Sequence, residues 1–152
     1  MKKLLFLTFI ISFIFVTSPY LYSQCRPKVI AKACKPNMGD FTYDAFVLNE
    51  LIFDDKPKIV EVQFTAFAGE KYKFVFCSSG FQEAVELNIY DKSNKVKKRN
   101  KIYDHNSGID NLFWSFSPSK AGTYYIEYNV PVALDPQKKS TGCMVMLIGY
   151  EE

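Results

Sequence analysis

From residue 59 onward the chain alternates apolar and polar side chains with a period of two, and this pattern constrains the fold more than any other. In Ile59 to Phe67, the residues Val60, Val62, Phe64 and Ala66 share one parity and Glu61, Gln63 and Thr65 the other. That is the repeat of a strand with one buried face. Ala68-Gly69-Glu70 reads as a turn, and Tyr72, Phe74 and Phe76 then alternate with Lys71 and Lys73, so the two segments read as a hairpin. Val85, Leu87 and Ile89 alternate with Glu86, Asn88 and Tyr90 until Asp91-Lys92-Ser93-Asn94 breaks the run. Val96 to Tyr103 reads as a more polar strand, Asp104 to Gly108 as the next turn, and Leu112, Trp114 and Phe116 as one core face. Tyr124, Ile126 and Tyr128 oppose Tyr125 and Glu127; after a long loop, Pro131 to Gly142, the segment Cys143 to Tyr150 is apolar on both parities, as a central strand is. Phe41 to Phe53 fits neither period and reads as one bent strand or two short ones. About seven to nine such strands, with turn signals between them, predict an all-β fold: a two-sheet antiparallel sandwich with jelly-roll or Greek-key connections.

The N-terminal stretch has a different character. Lys2 and Lys3 precede an uncharged apolar run, Leu4 to Val16, and Thr17-Ser18-Pro19 ends it. This is the layout of a secretory signal peptide over residues 1–23, shorter than the roughly 20 apolar residues of a spanning helix. Cleavage after Ser23 is expected, leaving Gln24 first and the domain over 41–152, with 24–40 as an N-terminal segment before it. The product is expected in the periplasm or outside the cell, at a Gram-negative envelope. Cys25 opens a rival reading as an acylated lipoprotein N-terminus, and Tyr22 and Gln24 argue against it, because such signals carry a Leu and a small residue at those places. Removing Lys2 and Lys3 takes the net charge from +3 to +1, so overall basicity implies nothing about nucleic acid. All four cysteines, Cys25, Cys34, Cys77 and Cys143, fall in the exported part, where disulfides are the default. Four cysteines allow three connectivities, and position along the chain favours Cys25 with Cys34 and Cys77 with Cys143.

Three segments carry a resemblance. Ala68-Gly69-Glu70-Lys71-Tyr72-Lys73-Phe74, Leu87-Asn88-Ile89-Tyr90-Asp91, and Phe116 with Ala121-Gly122-Thr123-Tyr124-Tyr125-Ile126 resemble the bacterial pre-peptidase C-terminal domain over Ile59 to Val130. The resemblance implies a non-catalytic β-sandwich, here as a stand-alone exported protein, of a kind often attached to secreted proteases and in some cases binding polysaccharide. Gly142 to Tyr150 departs from the pattern where its last strand is expected.

Candidate sites are few. Lys92, Lys95, Lys97, Lys98, Arg99 and Lys101 concentrate positive charge on one hairpin, suited to an anionic partner or to protecting an edge strand. Tyr90, Tyr103 and Tyr125 fall on the outward parity and, with Lys97, Lys98 and Arg99, are the expected binding residues; Trp114 is expected in the core. Asp104, Asn106 and Asp110 space oxygen ligands as a calcium loop does, and equally as a turn does. Asp54, Asp55 and Glu61 are the carboxylates that could pair across strands for a glycosidase-like hydrolysis. The chain carries no Gly-x-Ser-x-Gly, no His-Glu-x-x-His and a single His, His105. The expected function is therefore binding of an envelope protein or glycan without catalysis and without a cofactor. An assembly role in the envelope and a small hydrolase are the alternatives.

Overall fold

The computed structural model describes residues 25–80, 83–107 and 112–151; the expected signal segment lies outside them. Helix α1 (Pro27–Cys34) and a 3-10 turn (Lys35–Met38) precede eight strands. These are β1 (Thr42–Phe53), β2 (Lys58–Ala66), β3 (Tyr72–Ser79), β4 (Val85–Tyr90), β5 (Lys101–Ser107), β6 (Leu112–Phe116), β7 (Gly122–Val130) and β8 (Ser140–Tyr150). They form two antiparallel four-stranded sheets, ordered β1-β8-β3-β6 and β2-β7-β4-β5. First and last strands pair, and every connection between consecutive strands crosses to the other sheet except that from β4 to β5, which is the jelly-roll form of the expected sandwich. The ambiguous Phe41 to Phe53 stretch is one long strand, irregular between Tyr43 and Ala45, where a shift in register explains why no single period fits it.

Three segment readings change. First, β2 and β3 are not a hairpin: they lie in opposite sheets, and only β4 and β5 are both consecutive and paired. Their apolar parities face each other across the core, with Phe64 and Phe74 ring centroids 4.7 Å apart. The turn that carries the chain from one sheet to the other needs Gly69 at φ 88°. Second, Val96 to Asn100 is loop, and β5 starts only at Lys101. Third, Asp104 to Ser107 is strand rather than turn, paired with Val85 to Asn88 of β4.

The core between the sheets is built from the predicted parities. Phe74, Phe76, Trp114, Met144 and Met146 from one sheet meet Val85, Leu87, Ile89, Ile126 and Tyr128 from the other. Burial pushes the Tyr128 phenol well above the usual tyrosine range, and Asn49 donates a hydrogen bond to its oxygen at 3.2 Å.

Strand β8 sits between β1 and β3, and its second apolar face is buried too. Val75, Cys77, Val145 and Leu147 are covered on the outer side by Ala31 and Cys34 of α1 and by Met38. Gly149 marks the closest approach there, since a Cβ at this position would stand 2.8 Å from the Thr42 carbonyl oxygen and collide with the Met38 methyl. Helix α1 adds to the all-β expectation, and its signals are Pro27 at its first turn and the three-residue spacing of Ala31 and Cys34.

The helix also overturns the expected cysteine pairing. The bonds are Cys25–Cys143 and Cys34–Cys77, with Cα atoms 5.8 and 6.5 Å apart. Cys25 and Cys34 stand at opposite ends of α1, roughly 13 Å apart at 1.5 Å per residue. Cys77 faces Val145 and Cys143 faces Ser79, so the two are diagonal neighbours across β3 and β8. Such diagonals are about 7–8 Å apart, beyond comfortable bridging. The helix lies over both strands and meets each cysteine separately.

Digestion without reduction should therefore release peptides joined as Cys25–Cys143 and Cys34–Cys77, and a Cys25–Cys34 peptide would contradict this fold. The double variant C34S/C77S should lose about 2 to 4 kcal/mol of stability by urea denaturation.

Candidate functional site

Register places the recognition-capable elements at one end of the sandwich. Ala66 faces Gly122, Tyr90 faces Tyr125, and Tyr72 faces both Phe116 and Tyr150. The β2–β3 turn, the β4–β5 loop, the β6–β7 turn and the end of β8 thus share that end.

The β4–β5 loop, residues 91–100, begins as a clasp. Asp91 N–H donates to the Asn100 carbonyl at 3.1 Å, while Asn100 returns its backbone N–H and side-chain amide to the two Asp91 carboxylate oxygens, each at 2.7 Å. The Asn100 backbone N–H is the main cause holding the Asp91 carboxyl below its ordinary range. Beyond the clasp the loop folds back over the outer face of β7 and β2. There Glu61 and Glu127 stand directly opposite each other on neighbouring strands. Like charges so placed are destabilising unless donors reach them. The loop supplies those donors. Ser93 Oγ and Asn94 N–H donate to Glu61 at 2.7 and 2.6 Å, and Arg99 Nη1 donates to Glu127 Oε1 at 2.6 Å. Glu127 is 1% exposed, and removing this guanidinium would leave its buried carboxylate without a partner cation. The hydrogen bond to Glu127 in turn holds Arg99 more firmly protonated than usual. Arg99 also stacks on Tyr90, 3.8 Å from the ring centroid.

This changes the roles expected from sequence. Arg99 is turned inward as the latch of the loop, and it covers Tyr90 instead of joining the lysines. Tyr90 and Tyr125 are neighbours on the outer face, both half-buried. Tyr103 is on the inner side. A register irregularity pairs Ile89 with Tyr103 and Tyr90 with Lys101, so Ile102 is bulged out and the parity of β5 reverses. The Tyr103 ring lies 5.4 Å from that of Trp114, and burial raises its phenol pKa. The three tyrosines therefore form no common platform. Trp114 lies in the core as expected, 9% exposed.

Lys92, Lys95, Lys97 and Lys98 are exposed on the latched loop rather than on an edge strand. Among the described residues none of the four is in an ion pair with a carboxylate; Lys92 donates to the Lys98 carbonyl at 3.4 Å. Of the calcium candidates, Asp104 and Asn106 occupy alternate positions of β5, their side chains are outside the described set, and Asp110 lies outside the described residues. Among the described residues no three His, Cys, Asp or Glu side chains gather as metal ligands. Of the carboxylates considered for hydrolysis, Asp54 is engaged with Lys58 and Glu61 with the loop, so these two have separate partners.

No family model matches the chain, and no curated protein matches it. Among solved structures, it is similar over 72% of its length to the crystal structure of Aeromonas hydrophila PliG, a periplasmic lysozyme inhibitor of g-type lysozyme. That likeness covers 88% of the other chain at 12% identity, with a TM-score of 0.46. A structure of infectious bursal disease virus Gx strain aligns over 72% of this chain and 37% of that chain at 15% identity, with a TM-score of 0.27.

The variant R99A should cost about 3 kcal/mol in urea denaturation by leaving Glu127 buried and unpaired, whereas a cost near zero would remove the latch. Asp91 has a folded pKa below its unfolded value, so its stabilisation is present above the unfolded value and lost as pH falls through the folded one. Amide protection of Asn100 should accordingly decline below about pH 4, and D91A should abolish that pH dependence.

Proposed function

We propose that this protein is a non-catalytic, exported binding domain that engages an anionic protein or glycan at the cell envelope through its β4–β5 loop. The observation that carries the reading is the latched loop itself. An ordinary solvated turn needs no anchoring, yet this one is held by the Asp91–Asn100 clasp, by Glu61 and by Glu127. It presents four lysines with little freedom left in the backbone. Pre-ordering a loop reduces the entropy lost on binding, and clustered cations speed encounter with an anionic surface. Two disulfides accord with an oxidising compartment, periplasmic or extracellular. Among the described residues no helix is long and apolar enough to cross a membrane. The resemblance of Ile59 to Val130 to pre-peptidase C-terminal domains, which implies a non-catalytic module, agrees with this reading.

The test is capture of envelope proteins and binding to a glycan array by the wild type and by a K92E/K95E/K97E/K98E variant that keeps Arg99. Capture should weaken with salt and fall at least about tenfold in the variant, at an unchanged melting temperature. Equal capture by both proteins would remove the loop from the function.

A further inference from the structure

We propose that a cleft at the same end of the sandwich as this loop receives a basic side chain, guanidinium or ammonium, from a protein partner. The cleft has a volume of about 430 Å³ and opens between the two sheets, lined by Asp44, Phe64, Phe67, Glu70, Tyr72 and Tyr150 among others. Its floor is aromatic and continuous with the core: Phe64 and Tyr72 both contact Phe74, at 4.7 and 6.2 Å between ring centroids. Phe67 stands on its wall, 62% exposed, in a turn that is tied down on every side. Its N–H donates to the Tyr72 hydroxyl at 3.1 Å, the Gly69 N–H donates to the Pro118 carbonyl at 3.3 Å, and Ser117 Oγ donates to the Glu70 carbonyl at 3.2 Å. Phe67 thus offers a fixed, exposed apolar ring to whatever enters the cleft.

Charge identifies the occupant. Asp44 sits at the irregularity of β1 and Glu70 in the turn, and among the described residues neither is in an ion pair. The adjacent cation, Lys71, is already engaged by Glu151. The rim is therefore negative over an aromatic floor, the arrangement that favours a cation through both ion pairing and the ring faces. A neutral sugar would desolvate the carboxylates without neutralising them. This inference rests on the envelope-binding reading and narrows it, because a partner that meets the lysines with acidic groups and the cleft with a basic one is a protein.

The experiment is an NMR titration of the disulfide-bonded protein with N-acetyl-arginine amide, with neutral N-acetyl-citrulline amide and N-acetylglucosamine as comparisons. Saturable shifts at Phe67, Glu70, Tyr72 and Tyr150 are expected with the arginine compound, at least about tenfold weaker with either neutral one. D44N/E70Q should lose them at an unchanged melting temperature. K92E/K95E/K97E/K98E should retain them, which separates failure of the cleft from failure of the loop. Equal binding of citrulline or sugar, or no saturable shift in the wild type, overturns the proposal.

Discussion

A central strand with two apolar faces has to be covered twice, and the architecture follows from how β8 meets that demand. One face goes to the second sheet, where aromatic and aliphatic side chains interlock. The other would lie against water, and α1 with Met38 covers it, burying Val75, Val145 and Leu147 completely. Burying each such side chain is worth about 1.5 to 3 kcal/mol. An eight-residue helix is too short to hold itself together in water, however, so its position depends on attachment. The two disulfides provide it, one at each end of the helix and each to a different strand.

The outer face of the second sheet is solved differently. It carries Glu61, Glu127 and Asn88 in a row across β2, β7 and β4, and among the described residues no helix lies above them. The β4–β5 loop serves as cover, and it does so through hydrogen bonds and one buried ion pair rather than apolar contact. Because the donors that satisfy the acidic row come from Ser93, Asn94 and Arg99, the lysines between and beside them are left pointing outward. The same contacts that make the sheet tolerable hold a cationic loop in place at the end of the molecule where the aromatic cleft opens. Stability and recognition share one set of residues there.

Strand interiors were legible in the sequence, because the period of two assigns a side chain to a face whatever the strand pairs with. Val60, Val62, Phe64, Ala66, Val85, Leu87, Ile89, Ile126 and Tyr128 all point inward as their alternation predicts. Features that depend on what lies above a strand were not legible. Glu127 has the parity of a solvated residue and is buried because a loop distant in sequence folds over it. Tyr103 has the parity of an outward residue and is turned inward by one bulge. Arg99 looked like one more member of a basic cluster, although the carboxylate that claims it lies on β7, 28 residues further along.

The sequence by itself determined the all-β sandwich, its core parity, the central place of β8 and the presence of four cysteines from residue 25 onward. These are local properties, set by alternation, turn residues and composition. Tertiary structure alone decided that β2 and β3 face each other across the core, that the cysteines pair through α1, and that Arg99 latches the loop onto Glu127. Each of those depends on which surfaces meet in space, and a short helix or a single bulged residue is enough to redirect them.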